Sequence, residues 1–368
     1  MQRTFALLAI LAGMTTSAQA QRSWQTEFGI QGGFTRLVAA GTGADPTDAF
    51  SLPGFNLGSL VPSAAGLYVT IPWTQKLAVE TDVAASQFSS GVSVTLLSLG
   101  VRGDYALTRN LYAAAGAALT YNNGVGANET QLGVQAALGY RYRLSRTLNS
   151  RLEARTTFFG NAQNAAALDA YSVLLGVSTV ASRGRVARAS TAPSRAPSRR
   201  AWTTQLGIAG GYANVHLVGG GSLTAFAIPG YGGGLGPILA SEVTLPPTVF
   251  AVIPIGNKIA VEPAIDIHRF QESGQTDFSG NLSVRLDYAV HAGWYGALGG
   301  NLHHIKSTGA NAGTRTGLNL GWGYRFPFVA ALDGRVEMNY TMFGKNTKLG
   351  LTSANTLGVM FGVTMPLK

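Results

Sequence analysis

Three observations predict an all-β fold built from two closed antiparallel barrels of eight strands each. The first is a period of two. From Thr316 to Phe326 (TGLNLGWGYRF), Leu318, Leu320, Trp322, Tyr324 and Phe326 fall on one face and Gly317, Asn319, Gly321, Gly323 and Arg325 on the other. A helix, with its period near 3.6, would mix those sets. Residues 131–143 (QLGVQAALGYRYR) repeat the pattern, with Leu132, Val134, Ala136, Leu138, Tyr140 and Tyr142 opposite Gln131, Gly133, Gln135, Gly139, Arg141 and Arg143. The second is composition: 46% of the 368 residues are hydrophobic, 12% are charged and 48 are glycine. Yet no mature segment approaches the roughly 18 apolar residues in a row that a membrane helix needs. The third is an internal repeat, set out below.

In chain order, residues 1–20 read as a secretory signal peptide. Arg3 precedes an apolar run, Phe5–Met14, and Ala18-Gln19-Ala20 offers a small-x-small cleavage site before Gln21. The first barrel is expected over 21–180. Its first strand covers Trp24–Arg36, with Trp24, Thr26, Phe28 and Ile30 opposite Gln25, Glu27, Gly29 and Gln31. A long loop bearing Gly, Pro and Asp follows over Ala39–Ser63. Strands are then expected over Ala64–Trp73, Lys76–Phe88, Val92–Leu107 and Leu111–Tyr121, then the stretch after Gln131, then the segment bearing Arg151, Glu153 and Arg155, and finally Tyr171–Val180. Short turns at one end and longer loops at the other suit a membrane barrel.

Residues 202–368, the expected second barrel, replay the first. Lys76-Leu-Ala-Val-Glu80 recurs as Lys258-Ile-Ala-Val-Glu262, and Val101-Arg-Gly-Asp-Tyr-Ala106 as Val284-Arg-Leu-Asp-Tyr-Ala289. Gly139-Tyr-Arg-Tyr142 recurs as Gly323-Tyr-Arg-Phe326, and Arg151-Leu-Glu153 as Arg335-Val-Glu337. The offset drifts only from 178 to 184, as loop insertions produce. Between the halves, residues 181–201 are rich in Arg, Pro and Ser without apolar periodicity, the composition of a flexible linker. A single sixteen-stranded barrel is the alternative, but a turn between neighbouring strands needs far fewer residues.

The net charge of +10 dissolves once it is located. Residues 24–180 carry nine acids and nine bases, 202–368 carry eight and ten, and 181–201 carry six arginines and no acid. No expected folded face concentrates positive charge, so nucleic acid is not an expected partner. There are no cysteines, which excludes disulfides and thiolate metal sites.

In hydrocarbon every backbone N–H and C=O must be paired inside the protein, so strands span a membrane only in a closed sheet. The fold class is therefore two tandem eight-stranded antiparallel transmembrane β-barrels on a flexible linker. Outward aromatics near strand ends (Trp73, Tyr105, Tyr140, Tyr142, Tyr288, Trp294, Tyr324 and Phe326) suit an interfacial girdle. At this point the chain resembles the small eight-stranded outer-membrane barrel superfamily, the OmpA/OmpX/OmpW-like group, once per half. The resemblance rests on pattern, strand count and signal peptide. It implies an outer-membrane location, with lipid as the main partner. Barrels of that group usually finish on an aromatic residue, whereas this sequence finishes Met365-Pro366-Leu367-Lys368.

The charged residues share the parity of the inward face: Glu80, Asp82, Arg102, Asp104, Arg141, Arg151, Glu153 and Arg155 in the first half. Glu262, Asp266, His268, Arg285, Asp287, Arg325, Arg335 and Glu337 do so in the second. An eight-stranded barrel is just wide enough for side chains to fill it, so these groups are expected to pair as a structural plug rather than line a path for ions or solute. His303 and His304 are adjacent on a strand and point to opposite faces, so they cannot chelate one metal. No catalytic, cofactor or metal site is assigned. The glycine runs 219–221 and 232–234 lack the Lys-Ser/Thr that a phosphate-binding loop requires. The expected function is a non-enzymatic scaffold or surface binder of the outer membrane, with the long loops Ala39–Ser63 and Gly219–Pro247 as its binding face. A porin-like transport protein is the alternative. The basic linker offers a contact for anionic lipid headgroups or cell-wall polymer.

Overall fold

The computed structural model describes residues 24–39, 45–52, 66–90, 92–124, 127–145, 148–161, 167–180, 202–218, 221–228, 249–272, 274–308, 312–329, 332–346 and 353–367. The expected signal peptide and linker lie outside them. All regular structure among the described residues is strand. In the first half these are β1 (Glu27–Ala39), β2 (Thr47–Leu52), β3 (Leu67–Pro72), β4 (Leu77–Ser90), β5 (Val92–Ala106), β6 (Leu111–Gly124), β7 (Ala127–Arg143), β8 (Leu148–Phe159) and β9 (Leu168–Val180). The second half supplies β10 (Gln205–Leu217), β11 (Ser222–Ile228), β12 (Val249–Pro254), β13 (Ile259–Glu272), β14 (Gln275–His291), β15 (Trp294–Ser307), β16 (Gly313–Val329), β17 (Leu332–Phe343) and β18 (Ala354–Pro366).

Period-two alternation becomes two faces of one wall. On β7, Leu132 and Val134 are 67% and 63% exposed, while Gln135, which follows them, is 5% exposed. On β16, Leu318, Leu320, Trp322 and Tyr324 are exposed and Asn319 and Arg325 are buried. The apolar side chains thus point outward and the polar ones inward, the reverse of a water-soluble domain. Trp73, Tyr105, Tyr142, Tyr288, Trp294 and Tyr324 are all exposed on that outer face, near the short turns.

Every ladder is antiparallel, and closure follows from the pairing. β1 pairs with β3 on one side and β9 on the other, and β3 through β9 pair in sequence, which closes a ring of eight. Eight of the remaining strands add a matching circuit: β10 pairs with β12 and β18, and β12 through β18 pair in sequence. These circuits hold at the short-turn end.

At the opposite end the partners change. There β1 pairs with β2, and β2 goes on to pair with β13 of the second half, Leu52 opposite Ile267. Reciprocally, β10 pairs with β11, and β11 pairs with β4 of the first half, Ile228 opposite Ala85. Followed through these outer ends, the ladders make one circuit of both halves. The expected closed ring of eight antiparallel strands is present, but two separate barrels on a tether are not what the pairing shows: the sheet itself passes from one half to the other. Gly33 and Gly211 stand where β1 and β10 change partner. Their φ values are 156° and 151°, and a Cβ there would strike the carbonyl oxygens of Val173 and Val359. Glycine alone suits that backbone.

Two further expectations are corrected. Ala39–Ser63 and Gly219–Pro247 are not loops throughout, because β2 and β11 lie within them. Trp24 does not share the outward face of Phe28 and Ile30. It precedes β1, where alternation no longer applies, and is buried with Ala78, Ala106, Tyr112 and Ala114 inside the ring.

Candidate functional site: the charged interior

The inward faces near the short turns carry the charged groups. In the first half Arg102, on β5, is the hub. It donates to Glu153 on β8 at 2.8 and 2.5 Å and to Glu80 on β4 at 2.8 Å, and its Nε lies 3.0 Å from Asp104. Arg151 donates to the other Glu80 oxygen at 2.5 Å and also to Gln31. Arg155 donates to Glu153 at 2.8 Å and to Asp82 at 3.2 Å. The hydroxyls of Tyr112 and Thr70 donate to Glu153 and Glu80 at 2.5 and 2.8 Å.

The second half repeats the hub. Arg285 donates to both oxygens of Glu337 at 2.5 and 2.6 Å, and lies 2.9 Å from Glu262 and 3.1 Å from Asp287. Arg335 donates to Glu262 at 2.5 and 3.1 Å, and the Tyr295 hydroxyl to Glu337 at 2.6 Å. A forked guanidinium between carboxylates is the strong form of an ion pair, and a dry interior requires it.

Four aromatics roof the arginines. The guanidinium carbons of Arg141, Arg151, Arg325 and Arg335 stand 4.3, 3.5, 3.5 and 3.7 Å from the ring centroids of Trp24, Tyr68, Trp202 and Phe250. Trp24 meets Tyr112, and Trp202 meets Tyr295, edge to face at the same 5.7 Å. The rings fit because glycines on neighbouring strands leave room: Tyr68 covers Gly29, Tyr112 covers Gly139, Phe250 covers Gly207 and Tyr295 covers Gly323. Arg141 also pairs with Glu27.

Asp266 and His268 pair with each other nearer the outer end, apart from the hub. His303 is buried against the Ser279 hydroxyl at 3.1 Å, while His304 points out to Thr314. Among the described residues no three metal-ligating side chains converge.

Sequence reasoning missed the inward aromatics, Glu27 and Gln31. Tyr112 was readable in principle, since it sits opposite Gly139, an inward residue of β7. Trp24 and Trp202 lie outside the strands and gave no such signal.

The halves differ in one informative way. Asp82 and Arg155 form a pair in the first. The matching positions of the second are Ala264 and Asn339, so both charges are absent together. Arg155→Asn alone leaves Asp82 buried without its cation and is expected to cost about 3 kcal/mol. Adding Asp82→Ala is expected to restore most of it in thermal melts of the detergent-solubilised protein.

No protein-family model matches the chain, and no curated protein matches its sequence. Solved structures with some likeness include Neisserial surface protein A, at 12% identity and a TM-score of 0.31, covering 42% of this chain and 96% of that one. Another is the CymD monoaromatic hydrocarbon channel, at 10% identity and a TM-score of 0.29, covering 95% and 90%. A Pseudomonas aeruginosa FadL homologue shows 12% identity and a TM-score of 0.27, covering 92% and 89%.

Proposed function

We propose that the chain is an integral β-barrel protein of the outer membrane, non-enzymatic, whose interior is closed by ion pairs and whose outer ends serve as a scaffold or binding face. One observation carries the reading. Large apolar side chains are exposed all round the outside, among them Leu132, Leu175, Leu298 and Phe361, while arginines and carboxylates fill the inside. Water would penalise that surface, and hydrocarbon is its solvent. The repeated hub supports a duplicated unit as the origin of the two halves. The basic stretch 181–201 suits contact with anionic headgroups or cell-wall polymer.

Closure of the interior follows from Arg102 and Glu153 being buried across the ring from one another. In planar bilayers the purified protein is expected to show no large stable conductance. Sustained large openings would instead favour a transport protein.

A further inference from the structure

On the outer wall of the second half, where the first half abuts it, lies an apolar groove of about 270 Å³. Ile208, Phe326, Phe328, Phe361 and Val363 line it from one side, and Leu67 of β3 closes it from the other. Ile208 has the parity of the outward face yet is only 7% exposed, because the first half covers β10 there. The Phe326 ring packs onto Gly334, in the space that a Cβ there would take. At the position matching Gly334 the first half has Ser150, and at the one matching Phe361 it has Leu175, so the sequence does not repeat this glycine-and-ring arrangement.

We infer that this groove holds one acyl chain of a membrane phospholipid. The inference rests on the outer-membrane reading above. Three physical points select the occupant. The groove opens on the face that meets hydrocarbon, so alkyl chains are the molecules at hand. Its lining is almost wholly apolar; Arg335, which borders it, is engaged by Glu262 inside the ring and has no charge to spare for a headgroup. Its shape is that of a chain. Ile208, Val363, Gly334 and Phe326 stand at one level by register, with Phe361 two positions above and Phe328 two below. Four positions along a strand span about 13 Å, the length over which these residues follow the strands.

Native mass spectrometry of the full chain, released from detergent micelles at rising collision energy, tests this. The wild type is expected to keep one phospholipid adduct after the others are stripped. Val363→Trp, which fills the groove, is expected to lose that last adduct. Leu298→Trp, on the open lipid face, is expected to keep it. Equal adducts in all three, or none in the wild type, would overturn the acyl-chain site. Heat-modifiable migration on gels is read on the same samples. A groove variant that keeps it isolates the lipid result, and a wild type without it counts against the membrane reading itself.

Discussion

Arg102→Ala is expected to destabilise the folded protein by about 3–5 kcal/mol, the cost of stripping a buried ion pair of one partner. The effect is large because Arg102 is shared. It holds Glu80, Glu153 and Asp104, and alanine leaves all three carboxylates gathered in the closed ring with Arg151 and Arg155 alone to offset them. Arg102→Lys is expected to recover only part of the loss, since an ammonium cannot fork between Glu80 and Glu153. Arg285→Ala is the equivalent change in the second half, where Asp287, Glu262 and Glu337 surround the guanidinium. The readout is the temperature at which the compact band on unboiled gels converts to the unfolded one. A variant converting at the wild-type temperature would show that the carboxylates find other partners.

Cutting the chain between its halves is expected to leave them joined. A protease site placed within 181–201 severs the covalent connection, but the β11–β4 and β2–β13 ladders still cross between the halves. The native chain has no cysteine, which allows a clean covalent test. Thr224 and Ser89 face each other across the β11–β4 ladder. Thr224→Cys with Ser89→Cys is expected to form a disulfide that holds the cleaved halves together on boiled, non-reducing gels. Reduction is expected to release them. Halves that separate without reduction, in a cleaved protein that was folded when oxidised, would show that each strand instead returns to its own half.

Much of the wall was legible in the sequence. Alternation along 316–326 and 131–143 identified strands and told their two faces apart, because a strand sends successive side chains to opposite sides and the charged and the large apolar side chains keep to different ones. The same parity placed Arg102, Glu153, Arg285 and Glu337 on the inward face before any pairing was known. Residues that precede a strand escaped it: Trp24 turns inward to donate its ring N–H to the Lys76 carbonyl, 52 residues away, a contact that only the paired strands bring about.

The order of residues settles local matters: where the long strands run, which way their side chains point, and that the halves share the hub built on Arg102 and Arg285. Strand partnership was decided by the tertiary structure. β2 and β11 are short, flanked by Gly and Pro, and carry matching patterns, so nothing in either says whether its second neighbour is its own half or the other. Backbone hydrogen bonds do not read side chains, and two edges with the same register accept one another equally well. Only the assembled sheet, with β1 and β10 changing partner at Gly33 and Gly211, fixes which edge each strand meets.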